Sequence, residues 1–361
     1  MAGTTEAALK RESARIRINL DNPNRYFAYT KEAKDSYDKE YNYVNGDIKL
    51  AQFANDVQGI ASDCYILYAV ASLGCTDLEG IRLFLSAMSN KYKDLSISNM
   101  ADVSSVRNRI RGMMQSGMLF KHRYVISAAV EDEQMLDSVK TEGGSERSIS
   151  NKVVLYTITK SAQTLANHKL GRRTVIDDWI QAKPLYELMG IASCSYVAGR
   201  IAHNKAYIEQ SQGVYSTKII GTVFMASELE MACANNDRPA YVGFIPAFLH
   251  FDKSIKTAEV FEEDCRYLVK RMHQYLYSRD LSKDIARLVV VVEDNSDLVQ
   301  IAKRISMDEK MPPNYDRVYF TGEGVVRQAK TSKLEGCFLQ MVQDNSENGY
   351  SFVPARPDFI L

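Results

Sequence analysis

A short basic segment, VSSVRNRIRGMMQSGMLF at residues 103–120, has the residue types of a nucleic-acid contact. Arg107, Arg109 and Arg111 occupy alternate positions in it, and Asn108 stands between the first two. Arginine suits guanine edges and phosphates, asparagine and glutamine suit adenine, and serine suits phosphate. This segment is therefore the first candidate for a binding site.

Helical spacing divides the segment into an apolar face and a polar face. Val103, Val106, Ile110, Met113 and Met114 recur at the helical period, and Gly117 predicts the C-terminal end of the helix. No acidic residue occurs from 103 to 123, although the chain has zero net charge. We predict contact with double-stranded DNA, the alternatives being a solvated basic face or a protein-binding one. The predicted contact residues are Ser104, Ser105, Arg107, Asn108, Arg109 on the flank, Arg111, Gln115, Lys121 and Arg123, with His122 continuing the basic surface.

The elements around this helix predict a winged helix. One helix is expected to end at Gly74, and a second to begin after a cap at Thr76 and Asp77. The basic helix is the third, and two strand candidates, MLFKHRYVISAAV and KVVLYTIT, follow it. In this order the third helix enters the major groove. The segment between the strands, 131–150, is mostly acidic, so we expect phosphate to repel it.

The second half of the sequence predicts an α/β domain. Strand and helix patterns alternate there, and the β-branched run 289–292 is typical of a strand buried on both faces. SELEMACAN at 227–235 is predicted as a helix, and IKTAEVF at 255–261 as a strand. The predicted fold is thus an α+β winged helix followed by an α/β domain. The sequence predicts four segments: a polar extension (1–50), the winged helix (51–172), the α/β domain (173–330) and a C-terminal tail (331–361).

Composition sets limits on the function. A neutral chain cannot attract DNA over its whole surface, so any contact must be local. The 6 cysteines are scattered and indicate buried free thiols in a reducing cytoplasm, without a metal site. The N-terminus has no apolar core of signal-peptide length, and no window of the sequence approaches the length of a membrane span. Neither a P-loop motif nor a metal-binding histidine pair occurs, which argues against an ATPase and against a relaxase with paired histidines.

The element order resembles the replication-relaxation family of plasmids and conjugative elements, over residues 55–325. That resemblance implies a C-terminal half similar to a PD-(D/E)XK nuclease. In the family a strand with Pro-Asp precedes a strand with a glutamate, and a helix with a lysine and a tyrosine comes next. This chain has Pro246-Ala247 at the first position, Glu259 at the second, and Lys270 and Tyr275 on the helix.

This chain lacks some of the groups that the nuclease chemistry implied by the resemblance requires. Such a site needs two carboxylates for Mg²⁺ and a lysine that acts on the water. Ala247 removes one carboxylate, and Phe261 stands where the lysine belongs. We therefore expect a nuclease-like scaffold without catalytic residues, cofactor or metal. The alternative is a relocated site that uses Asp252 or Glu262, with Lys256.

The sequence thus favours a DNA-binding protein of a mobile element, rather than an enzyme. It would act in plasmid replication or as an accessory factor at a conjugative transfer origin. The α/β domain would supply a surface for a relaxase, a replication initiator or a second copy of the chain. Two alternatives stay open: a winged-helix transcriptional regulator whose α/β domain senses a ligand or partner, and a metal-dependent nuclease with a relocated site.

Overall fold

The described residues of the chain form two β-sheets with helices packed on them. The computed structural model describes residues 13–17, 25–32, 60–92, 103–115, 117–128, 151–170, 185–203, 207–209, 229–235, 238–247, 258–278, 285–292, 298, 301–302, 304–305, 315–329, 334, 336–343 and 350–360. The predicted acidic segment between the two strands lies outside these residues.

The first group of elements builds the helix that carries the basic segment. The elements are α1 (Ile60–Leu73), β3 (Cys75–Thr76), α2 (Leu78–Tyr92), α3 (Val103–Gln115), β4 (Leu119–Ala128) and β5 (Asn151–Ile158). Helix α2 begins where the Asp77 carboxylate accepts a hydrogen bond of 2.7 Å from the Gly80 N–H, which caps its N-terminus. Helix α1 ends before Gly74, whose φ is 73°. These three helices and two strands, with the predicted cap, are confirmed.

The first sheet extends beyond the predicted elements. Two further strands, β1 (Ser13–Arg17) and β2 (Arg25–Glu32), give the strand order β1-β2-β4-β5-β3, with antiparallel neighbours. The polar extension predicted for residues 1–50 therefore contains two paired strands. The sequence RYFAYT in β2 is rich in aromatic residues, which favour strands, and β2 pairs with β4 on the side away from β5.

The second sheet is built from the rest of the chain. Its elements, with the flanking helices, are α5 (Leu185–Ile201), β6 (Tyr207–Glu209), β7 (Leu229–Asn235), β8 (Arg238–Ala247), α6 (Ala258–Ser278), β9 (Ile285–Val292), β10 (Val318–Gly322), α7 (Glu323–Gln328), β11 (Phe338–Gln343) and β12 (Tyr350–Ala355). Helix α4 (Lys160–Leu170), which precedes them, packs on α1. The strand order is β12-β11-β10-β9-β8-β7-β6. β8, β9 and β10 are parallel, and the other pairs are antiparallel. As predicted, the run 289–292 is buried in a central strand.

Three predictions for this half are wrong. Residues 229–235 form β7 instead of a helix, because pairing with β8 along the whole strand outweighs the helix propensity of Leu, Met and Ala. Residues 258–261 belong to α6 instead of a strand, since they continue a helix whose later apolar positions are buried. The C-terminal tail predicted from residue 331 contains β11 and β12, which pair onto β10.

Helix α5 contacts both groups of elements. The Ser195 hydroxyl donates to the Leu73 carbonyl of α1 at 2.8 Å. A Cβ added at Gly199 would lie 3.2 Å from the Leu83 Cβ of α2, so the two helices touch at this glycine. One cluster of buried apolar side chains also joins α3, α5 and β9. The domain boundary expected at residue 173 stays a prediction.

The cysteines whose side chains the structure describes are buried free thiols, as expected: Cys64, Cys75, Cys194, Cys265 and Cys337. Burial raises the pKa of the Cys75 thiol far above its ordinary value, with Asp77 adding to the effect. That thiol therefore stays protonated and unreactive. No helix in the described part of the chain has the length and apolar character needed to cross a membrane.

Candidate nucleic-acid interface

Helix α3 presents a polar face over a buried apolar one. Val106, Ile110 and Met113 are at most 3% exposed. On the opposite side Arg107, Asn108, Arg111 and Gly112 are exposed. The amphipathic division predicted from the sequence is therefore confirmed where the structure describes the side chains. The α3 residues Ser104, Ser105 and Gln115 and the β4 residue Arg123 have side chains outside that description.

The end of α3 is fixed by its backbone. Gly117 has a φ of 67°, in the left-handed region that favours glycine. Its N–H donates to the Met114 carbonyl at 3.0 Å, and the Met118 N–H donates to the Met113 carbonyl at 2.9 Å. These two bonds form a Schellman motif, with Met118 buried beneath it. These bonds end the basic helix immediately before β4.

Arg109 differs from the other two arginines. Its guanidinium Nη1 lies 2.5 Å from the Asp63 Oδ1 of α1, and the two side chains are 37% and 20% exposed. This ion pair connects α3 to α1. The predicted flank residue Arg109 is therefore already paired with a carboxylate of the protein, whereas Arg107 and Arg111 lie on the exposed face.

The basic residues that follow α3, at 121–123, lie in β4, where neighbouring side chains point to opposite faces of the sheet. His122 is fully buried, and its Nε2 lies 3.1 Å from the Thr157 hydroxyl of β5. The prediction that His122 continues the basic surface is wrong, because alternate residues of a strand point to opposite faces. Lys121 is half-buried and lies between Glu32 and Tyr156 in the strand register.

The positions expected to match the nuclease motif do not share an edge of the sheet. Pro246 and Ala247 end β8, where Ala247 is buried and pairs with Val292. Glu259 and Phe261 lie in α6, so the predicted strand with a glutamate is absent at that position. On the same helix Lys270 is exposed, whereas Tyr275 is fully buried. Asp252 and Lys256 lie outside the described residues.

The described residues contain no group of three histidine, cysteine, aspartate or glutamate side chains that could hold a metal ion.

The sequence reasoning missed a charged cluster around Arg327 of α7. Its guanidinium lies 2.6 Å from the Asp77 Oδ2, 2.5 Å from the Glu323 Oε1, and 3.8 Å from the centre of the Tyr196 ring. Burial lowers the pKa of Arg327, but the two carboxylates outweigh burial and raise it above the ordinary value. Glu323 also accepts a short hydrogen bond from Ser193. The i,i+4 spacing of Glu323 and Arg327 was the one signal in the sequence.

The Arg327 cluster connects three helices instead of forming an open site. Asp77 belongs to the cap of α2, Tyr196 to α5 and Arg327 to α7. Both carboxylates are already occupied by donors within the chain. The exposed face of α3 is therefore the better candidate for a functional surface.

The comparisons with known proteins add no relative. No protein-family model, no curated protein and no solved structure matches the chain.

Proposed function

We propose that the chain is a sequence-preferring DNA-binding protein whose recognition helix is α3. The observation that carries this proposal is the exposed face of α3. There Arg107, Asn108 and Arg111 stand over a buried apolar core, in a segment without an acidic residue. Two guanidinium groups and one amide on the same face suit phosphates and base edges.

The order of elements from α1 to β5 supports a winged helix. A helix, a short strand, two helices and two strands follow one another, and β5 lies between β3 and β4 in the sheet. In a winged helix of this order the third helix is the one that enters the major groove. On this proposal β1 and β2 enlarge the sheet on the β4 side.

We assign the second sheet a binding role, with a scaffold similar to a PD-(D/E)XK nuclease. Ala247 offers no carboxylate at the end of β8, and Glu259 begins a helix. The proposed partner is a relaxase, a replication initiator or a second copy of the chain. The role in plasmid replication or at a transfer origin follows from the resemblance to the replication-relaxation family.

The central test replaces Arg107 and Arg111 by alanine in the full-length protein. Both side chains are exposed, so folding should be unaffected. Binding to duplex DNA should weaken by roughly 2–5 kcal/mol if each arginine makes one good contact. The matched control replaces Arg266 and Lys270 by alanine. These two residues are also exposed, basic and four residues apart on a helix. Fluorescence anisotropy with labelled duplex measures both variants.

Two results would contradict the proposal. One is equal affinity of the wild type and the folded Arg107→Ala/Arg111→Ala variant. The other is an affinity that does not fall with added salt, because phosphate contacts release counterions.

Footprinting of the protein on the flanking genomic DNA distinguishes a role at a replication or transfer origin from transcriptional regulation. Protection at a replication or transfer origin supports the proposal, and protection at the protein's own promoter supports a transcriptional regulator. Cleavage in Mg²⁺ or Mn²⁺ that is lost in Glu259→Gln would support a nuclease instead.

A further inference from the structure

The strand register places basic residues together on one face of the first sheet. Alternate residues of a strand belong to opposite faces, and residues that pair across strands belong to the same face. Three successive rows on one face consist of Ser13, Thr30, Arg123 and Val154, then Arg15, Ala28, Val125 and Lys152, then Arg17, Tyr26 and Ser127. These rows contain the basic positions Arg15, Arg17, Arg123 and Lys152 and no acidic position. We call these positions the basic sheet face.

The rows that alternate with them on the opposite face are apolar. They consist of Ala14, Tyr29, Tyr124 and Val153, and of Ile16, Phe27, Ile126 and Asn151, without a charged residue. The row of His122 and Leu155 continues this opposite face, and there His122 is fully buried and Leu155 is 1% exposed. The alternation therefore assigns the apolar positions of β1 and β2 to the side of the sheet that is buried at His122.

The basic sheet face begins where the cover of the core decreases. Tyr156 lies one row before Arg123 on the same face and is 9% exposed, whereas Val154, in the row of Arg123, is only half-buried. β4 begins at Leu119, directly after the turn that ends α3. Arg123 is four residues further along the strand, at a distance of about 13 Å. The basic sheet face thus continues from the end of α3.

We infer that the basic sheet face binds the phosphate backbone of duplex DNA beside the groove that α3 enters. Like charges that share one face of a sheet repel one another, and a polyanion offsets that repulsion. Duplex DNA carries one negative charge per roughly 1.7 Å of its axis, and arginine and lysine are residues that contact phosphates. Charge complementarity and continuity with α3 therefore favour DNA as the occupant.

This inference rests on the proposed function and adds a role for β1 and β2. The segment between β4 and β5 is mostly acidic and is expected to be repelled by phosphate. The two N-terminal strands would supply backbone contacts in its place. Such contacts position the protein and strengthen binding, whereas α3 reads the bases.

The test measures binding of the full-length protein at several salt concentrations. The probes are the duplex that the wild type enriches most from a randomised library and a duplex of scrambled sequence. Arg15→Gln/Arg17→Gln should weaken binding to both duplexes by a similar factor, because phosphate contacts carry no sequence information. The slope of log affinity against log salt concentration should become shallower by about 1–2, since each lost phosphate contact removes about 0.9.

The matched control is Arg25→Gln/Lys31→Gln. It removes the same number of charges from β2, at positions that the register assigns to the opposite face. This variant should keep the affinity and the salt slope of the wild type. Arg15→Lys/Arg17→Lys retains both charges and should also keep the slope, which preserves the test if the glutamine variant does not fold.

The outcomes separate the inference from the proposed function. If the wild type enriches no duplex, the proposed function fails and the inference fails with it. If the wild type binds its duplex and Arg15→Gln/Arg17→Gln has the same affinity and slope, only the inference fails. Equal losses in the control would also overturn it, because the effect would then follow net charge. Binding to vesicles containing phosphatidylserine that is lost in Arg15→Gln/Arg17→Gln, with DNA binding unchanged, would assign the face to a membrane surface instead.

Discussion

Because Arg109 forms an ion pair with Asp63, we expect it to contribute to stability, and we expect Arg111 of the same helix to contribute to binding. The pair is short, with 2.5 Å between Nη1 and Oδ1, but the Arg109 side chain is 37% exposed. Two unit charges at 4 Å attract by about 1 kcal/mol in water and about 4 kcal/mol near a protein surface. Solvent screening and the ordering of both side chains reduce that gain. We expect Arg109→Gln to lower the free energy of unfolding by roughly 0.5–1.5 kcal/mol.

The assay combines urea denaturation with DNA binding. Asp63→Asn should destabilise the protein by a similar amount, and the double variant should lose less than the sum of the two single losses. Arg111→Gln should leave stability unchanged and weaken binding. Arg109→Gln, assayed where it is folded, should retain most of the wild-type affinity. The reasoning is refuted if Arg109→Gln leaves stability intact and reduces affinity as much as Arg111→Gln does.

Further predictions concern the rest of the fold. Gly243→Ala would place a Cβ 2.6 Å from Cε2 and 2.7 Å from Oη of the fully buried Tyr275, so thermal unfolding should show a loss of roughly 1–3 kcal/mol. Burial and the nearby positive charges of Arg200 and Arg82 lower the pKa of His203 below 6.5. The unfolded state therefore binds more protons, and stability should fall as the pH drops below about 6.5, less steeply in His203→Gln. Asp358 accepts two hydrogen bonds from Arg287, at 2.5 Å and 3.1 Å, and Asp358→Asn should weaken this bidentate pair. We expect the free energy of unfolding to fall by about 1–2 kcal/mol and the C-terminus to be digested faster by a protease. An unchanged digestion rate would contradict this expectation.

The basic helix could be predicted from the sequence because local patterns determine it. Val106, Ile110 and Met113 repeat at the helical period, and a glycine at position 117 provides the left-handed residue that ends the helix. The division into exposed and buried positions follows from the same period. The partner of Arg109 could not be predicted, because Asp63 is 46 residues away and only the packing of α1 on α3 brings the two together.

Predictions failed where pairing between distant segments decides the structure. Residues 229–235 contain Leu, Met and Ala, which favour a helix, yet the neighbouring β8 makes them a strand. β12 adds to the sheet only because β11 is already paired with β10. His122 was expected at the surface from its basic neighbours, but the strand alternation turns it inward. For residues 229–235 and for β12, a pairing between segments decides the structure, whereas the alternation that turns His122 inward belongs to its own strand.

The contacts that α5 makes with both groups of elements limit how such a chain can change in evolution. Its Ser195 and Gly199 contact α1 and α2, and its Arg200 donates to the Ala329 carbonyl at the end of α7. A lineage that exchanged either half by recombination would have to preserve the surface that this helix shares with the other half. We expect the two halves to be inherited together. If the proposed function holds, a new DNA specificity should arise by substitution on α3 rather than by replacement of the whole first half.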